Sequence, residues 1–67
     1  MLALRRERQK KGWTLGDLAA KTGIHESDLS MIELGRRPAY PNWQKRIAEV
    51  FRMKAADLFC EVEDDER

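Results

Sequence analysis

The sequence has little of what most enzymes, secreted proteins and membrane proteins need. Its 67 residues include one cysteine, one histidine and two prolines. A single cysteine excludes an internal disulfide and any metal site built from several cysteines, which favours a reducing cytosol. No apolar run approaches the roughly 20 residues of a membrane span, and no signal peptide is visible. With no catalytic constellation either, we expect no enzyme activity, metal or cofactor.

The residues that are present indicate a small folded domain with segregated charge. Hydrophobic residues make up 42% of the chain and charged residues 37%, which is typical of a folded protein and not a disordered one. The net charge is only +1, yet residues 1–11 sum to +4 and residues 36–54 to +5, whereas residues 25–35 sum to −3 and residues 55–67 to −5. Such a distribution can create a local basic surface, although solvated helix faces would look similar.

Hydrophobic periodicity and helix-ending residues predict five helices and no strands. A threonine at position 14 can cap the second helix, with Asp17 as the acidic partner three residues later. The predicted helices run from about Leu2 to Lys11, from Thr14 to Gly23, from Glu26 to Leu34 and from Ala55 to Phe59. A further helix is predicted to start near Pro41 or Asn42 and to carry Trp43, Ile47, Val50 and Phe51 toward the core. Their spacing predicts a core of Leu18, Ala19, Ile24, Leu29, Ile32, Ile47, Val50, Leu58 and Phe59, with Trp13 and Trp43 half-buried at its edge.

Residues 14–38 are the most informative stretch, because they read as two short helices joined by a tight turn. A small residue at Ala19 lets a second helix cross closely, and Gly23 can adopt the left-handed conformation that ends a helix. Leu29 and Ile32 give the second helix its apolar face. These features together are typical of a helix-turn-helix, whose second helix is presented to the major groove of DNA.

From Leu4 to Phe59 the chain resembles the lambda-repressor-like helix-turn-helix family, also called the XRE or Cro/repressor type. The matching residues are Arg8, Gly12, Thr14, Leu18, Ala19, Gly23, Ile24, Leu29, Ser30, Ile32, Glu33, Gly35, Arg36, Arg37, Pro38, Ile47, Ala48, Leu58 and Phe59. The resemblance implies an all-α, five-helix DNA-binding domain over residues 1–60. It also implies a transcriptional regulator, which we expect to be a repressor. It also implies a homodimer on palindromic operators. Residues 61–67 form an acidic tail that we expect to be a frayed, solubilising end.

The exposed side of the third helix carries the predicted base-reading residues. With Leu29 and Ile32 facing inward, the outward positions are Glu26, Ser27, Ser30 and Met31. Serine hydroxyls can bond to bases or phosphates, a methionine can contact a thymine methyl, and a glutamate can accept from a cytosine amino group. His25, just before the helix, can cap it or meet a phosphate, or is simply an exposed turn residue.

Basic residues around this helix are predicted to contact the DNA backbone. Those expected to do so are Arg36, Arg37, Lys45 and Arg46, with Lys21 and either Arg5 or Arg6 in second place. By the resemblance, Arg8 pairs with Glu33 and is structural. The chain departs from the family at Leu15, where a glutamine is common. It departs again in the acidic residues of its third helix, which oppose phosphate binding.

Two function classes are compatible with these residues. The first is a regulator whose partners are a double-stranded DNA operator and a second copy of the chain, with no membrane or small-molecule effector, in the cytoplasm of a bacterium or phage-infected cell. The second is a protein-interaction module of the same fold, such as an antitoxin or antirepressor partner, which would tolerate an acidic third helix. For a dimer, we expect the contact surface to include Met53, Leu58 and Cys60, and we expect Cys60 to be a bystander at the core edge and not a redox switch.

Overall fold

A computed structural model describes residues 1–62 as an all-helical domain. Its helices are α1 (Ala3–Lys10), α2 (Leu15–Thr22), α3 (Glu26–Glu33), α4 (Pro41–Phe51) and α5 (Ala55–Leu58). The predicted five-helix, all-α class is confirmed, and the predicted bounds of α1, α2, α3 and α5 and the predicted start of α4 lie within about one residue of those in the structure. In the described range the only strand-like pairing is an isolated antiparallel bridge between Leu2 and Glu61. None of these helices is long and apolar enough to cross a membrane.

The two ends of α2 are fixed by local hydrogen bonds that the sequence predicted. Thr14 Oγ1 accepts from the backbone N–H of Asp17 at 3.0 Å, and Asp17 Oδ2 accepts from the backbone N–H of Thr14 at 2.9 Å. The bond from the Thr14 backbone N–H, together with a hydrogen bond from the Thr14 side chain to the same carboxylate, favours the ionised form and lowers the pKa of Asp17 below its ordinary value. At the other end Gly23 has φ +77° and donates its N–H to the carbonyl of Ala19 at 2.7 Å. The helix therefore begins and ends where its capping residues lie.

The core takes buried apolar side chains from all five helices and from the turn between α2 and α3. Its buried apolar residues are Ala3, Leu4, Leu18, Ile24, Leu29, Ile32, Ile47, Phe51 and Leu58. Three residues predicted as core, Ala19, Val50 and Phe59, are only partly buried and pack against it, because so small a domain has no further layer to cover them. Leu4 is fully buried and was not predicted. Trp13 and Trp43 are half-buried, as expected.

A buried ion pair fixes α1 against the end of α3. Arg8 Nε donates to Glu33 Oε2 at 2.8 Å and Arg8 Nη2 to Glu33 Oε1 at 3.1 Å. The remaining nitrogen, Nη1, donates to the carbonyl of Trp13 at 2.8 Å. One guanidinium thus joins α1, α3 and the segment that leads into α2. These two residues, which the resemblance assigned to a structural pair, are both buried in the domain.

The two chain ends of the described range lie side by side. The N–H of Val62 donates to the carbonyl of Met1 at 2.8 Å, and the N–H of Ala3 donates to the carbonyl of Cys60 at 2.9 Å. The expectation of a frayed end from Glu61 onward is therefore wrong for Glu61 and Val62. The rest of the predicted tail, 63–67, lies outside the described residues.

Two expectations about the C-terminal surface also need correction. Leu58 is fully buried between α1 and α4, so it cannot belong to the dimer surface on which it was placed. The thiol of Cys60 is exposed, with its Sγ 3.8 Å from the carbonyl oxygen of Asp57, and it does not lie at the core edge. Helix α5 is a single turn, and its one core side chain already packs inward.

Candidate nucleic-acid interface

Helices α2 and α3 pack directly against each other across the Gly23 turn. Leu18 on α2 and both Leu29 and Ile32 on α3 are completely buried, so one side of each helix faces the core. A threonine completes the turn: Thr22 Oγ1 donates to the carbonyl of Leu18 at 2.8 Å and accepts from the N–H of Ile24 at 3.2 Å. The sequence did not single out Thr22, although a threonine just before a helix-ending glycine is a recognisable local signal. The opposite side of α3 is left at the surface.

The predicted reading residues lie on this outer side of α3 to different extents. Glu26 and Ser27 are exposed, whereas Ser30 and Met31 are half-buried. Ser30 lies in a shallow cleft with Arg5 of α1 and Leu15 of α2. Arg5 is therefore the basic residue of α1 that borders α3, a choice that the sequence left open between Arg5 and Arg6.

The histidine before α3 is its N-terminal cap. His25 Nδ1 accepts from the N–H of Ser27 at 3.4 Å and lies 3.1 Å from the Ser27 hydroxyl. This arrangement places the ring proton of the neutral histidine on Nε2, which points away from these two contacts. Of the roles considered for His25, the cap is present in the folded chain, and the outer nitrogen stays available to a phosphate.

The two acidic residues in the first turn of α3 have different surroundings. Asp28 Oδ1 lies 3.5 Å from Arg37 Nε, so its charge is partly balanced by the loop that follows the helix. Glu26 instead folds back onto α2, because Gly16 has no side chain: a Cβ atom at Gly16 would lie 2.6 Å from Glu26 Oε2. Gly16, although glycine is unfavourable within a helix, thus leaves room for the Glu26 carboxylate beside the first turn of α2.

Basic side chains surround α3 unevenly. Arg36 and Arg37 are exposed in the loop after the helix, and the N–H of Arg36 donates to the carbonyl of Met31 at 2.8 Å, which fixes the start of that loop. Arg46 reaches the turn, with its Nη1 3.8 Å from the Cβ position of Gly23, and Lys45 beside it is exposed. Arg36 and Arg37 therefore lie at the end of α3, and Arg46 lies at the turn that precedes it.

Lys21 is the predicted backbone contact that the structure does not bring to α3. Its Nζ lies 4.8 Å above the ring centre of Trp13, a cation–π contact with the segment between α1 and α2. No three metal-ligating side chains lie together in residues 1–62. The outer side of α3 presents hydroxyl, thioether and carboxylate groups, and guanidinium groups follow in the next loop, which suits hydrogen bonding to another macromolecule.

Comparison with known proteins agrees with this geometry. A family model for a helix-turn-helix domain matches residues 2–67, nearly the whole chain. No curated protein and no solved structure gives a significant match. The matched family consists of DNA-binding regulators and is typically non-enzymatic. The chain therefore belongs to the helix-turn-helix family of the XRE/lambda-repressor type.

Proposed function

We propose that this protein is a sequence-specific regulator of transcription that inserts α3 into the major groove of double-stranded DNA. The main observation in support is how α3 packs in the domain. Its inner side is buried, its end is fixed by Arg8, and its outer side is exposed beside Arg36 and Arg37. A helix held rigidly by its buried side can present its outer side to base edges without further ordering.

The residues divide into those that specify sequence and those that position the protein. Ser27, Ser30 and Met31 would contact base edges through hydroxyl and thioether groups. The residues proposed for backbone contacts are Arg36, Arg37, Lys45, Arg46 and His25, with Arg5 at the α1 edge of α3; Lys21 would join them only by leaving the Trp13 ring. Phosphate contacts supply affinity for every sequence, whereas base contacts supply preference.

This division can be tested with two variants on a duplex obtained by selection from a random pool, on single-base changes of that duplex and on an unrelated duplex. Arg36→Ala should weaken binding to selected and unrelated duplexes alike and reduce the log–log salt slope by about 0.9. Ser27→Ala should change the preferred bases and leave the salt slope unaltered. Fluorescence anisotropy across a salt series measures both effects. If both variants weakened all sequences alike, α3 would not be reading bases, and if no duplex were bound, the protein-interaction module would replace this proposal.

We further propose that the protein binds its operator as a symmetric homodimer. One head contacts only a few base pairs, too few to find a site among the ~10⁶ or more competing positions of a genome. Two heads related by a two-fold axis would read half-sites one helical turn apart, about 34 Å. Sedimentation of the protein with a selected duplex should give two protomers per duplex, and one protomer per duplex at saturation would refute the dimer.

We infer that the regulator acts as a repressor in the cytoplasm of a bacterium or phage-infected cell. A bound dimer would cover a promoter element and exclude the polymerase by occupying the same DNA. A reporter gene with the selected duplex inside its promoter should lose expression when the protein is supplied. Increased expression in the same reporter would make the protein an activator.

A further inference from the structure

The first turn of α3 contains an acidic side chain whose position is determined by a different helix. Glu26 lies on the face proposed to meet DNA, yet its carboxylate rests against the first turn of α2, where a Cβ on Gly16 would be 2.6 Å from Oε2 and 3.7 Å from Thr14 Oγ1. No hydrogen bond or ion pair to this carboxylate occurs among the described residues, in contrast to Asp28, which is paired with Arg37. Glu26 is thus a negative charge with a defined location and no ion-pair partner among the described residues.

The surroundings explain why the carboxylate can remain there. The amide of Asp17 is bonded to Thr14, whereas the amides of Leu15 and Gly16 have no partner in residues 1–62, so the amino end of α2 retains a partial positive charge. A nearby carboxylate is stabilised by that charge. A base contact would require Glu26 to leave this position. Its place beside the amino end of α2 therefore competes with base reading.

We propose that Glu26 does not read a base but weakens DNA binding regardless of sequence, because Gly16 lets its carboxylate settle between the amino ends of α2 and α3. The inference rests on the proposed DNA-binding function. A unit charge about 6 Å from a phosphate in water changes affinity by about threefold, and closer approach or partial desolvation extends this to about tenfold. Salt screens the repulsion, so its effect shrinks as ionic strength rises.

The binding test compares Glu26→Gln with a charge-matched control, Asp57→Asn. Asp57 is an exposed carboxylate on α5, which packs on α1 and α4 and not on the α2–α3 pair. At low salt Glu26→Gln should bind a selected duplex and an unrelated duplex of the same length about three- to tenfold more tightly, by the same factor for both. Asp57→Asn should change neither affinity. Weaker binding of Glu26→Gln to the selected duplex alone would mean that Glu26 reads a base, and an unchanged affinity would also overturn the inference.

A second measurement needs no DNA. Amide resonances of Leu15 and Gly16 should shift when Glu26→Gln is introduced into the natural chain, and this shift should be lost in a Gly16→Ala background, where the new methyl group displaces the carboxylate. Unmoved resonances in the natural background would refute the placement.

The two proposals fail in distinguishable ways. If the natural protein bound DNA and Glu26→Gln bound it no more tightly, the proposed function would stand and this inference would be refuted. Binding by Glu26→Gln alone would support the inference and contradict the natural protein's proposed function. Absence of binding by both proteins would remove both.

Discussion

Replacing Arg8 by methionine should destabilise the domain more than any surface change. The substitution keeps most of the side-chain volume but removes both bonds to Glu33, whose side chain is 3% exposed, and the bond to the carbonyl of Trp13. Removing one partner of a buried ion pair leaves a buried charge uncompensated and costs about 3–5 kcal/mol. A domain of this size has a total stability of about 3–10 kcal/mol, so this one change consumes a large part of it.

The assay is unfolding followed by circular dichroism, with two comparison proteins. Arg8→Met should lower Tm by at least ~12 °C, since each kcal/mol shifts a small domain by about 4–8 °C. Lys10→Met breaks the surface pair in which Lys10 Nζ lies 3.4 Å from Glu7 Oε2, with Lys10 63% exposed, and should cost less than about 1 kcal/mol. The double variant Arg8→Met/Glu33→Leu should recover most of the loss, because no unpaired charge remains.

Two results would refute this reasoning. If Arg8→Met were no less stable than Lys10→Met, the Arg8–Glu33 ion pair would not stabilise the fold. If the double variant were as unstable as Arg8→Met, the loss would come from packing around Arg8 and not from an uncompensated carboxylate.

Further expectations concern the α2 cap, the core and the thiol. Thr14→Ala should cost about 0.5–2 kcal/mol in urea unfolding, since it removes the acceptor for the Asp17 amide. Because folding lowers the pKa of Asp17, its contribution is present above the unfolded-chain pKa and lost as pH falls through the folded pKa. In thermal melts across acid pH, Tm should therefore fall more steeply for the natural chain than for Asp17→Asn. Leu4→Ala should cost about 2–5 kcal/mol by urea unfolding, because Leu4 is fully buried. Cys60→Ser should leave Tm and duplex affinity unchanged, before and after mild peroxide, since the thiol is exposed and its only hydrogen bond among the described residues is to the carbonyl oxygen of Asp57.

Local signals explain why the helices could be predicted closely. The cap at Thr14 and the left-handed Gly23 are properties of a few adjacent residues, so they mark the ends of α2 in any context. Leu29 and Ile32 repeat at helical spacing, so the buried side of α3 and its outer residues follow from the pattern. The resemblance added the pairing of Arg8 with Glu33, which residues 25 apart in the chain do not reveal.

Features that depend on how the helices meet could not be predicted. The approach of Glu26 to Gly16 depends on the relative placement of α2 and α3, which a single glycine within a helical segment does not reveal. Leu4 was not predicted as core because the basic residues that follow it obscure the helical spacing of apolar residues in α1. The end of α4 at Arg52, a non-glycine residue with φ 56°, has no sequence signal of the usual kind.

Base reading by α3 is tested most directly by selecting duplexes from a random pool with the purified protein at a stated, moderate salt concentration. We expect enrichment of one short sequence over successive rounds, arranged as two inverted half-sites about one helical turn apart. A pool that stays random, with retention no greater than that of non-specific DNA, would contradict sequence-specific reading by α3.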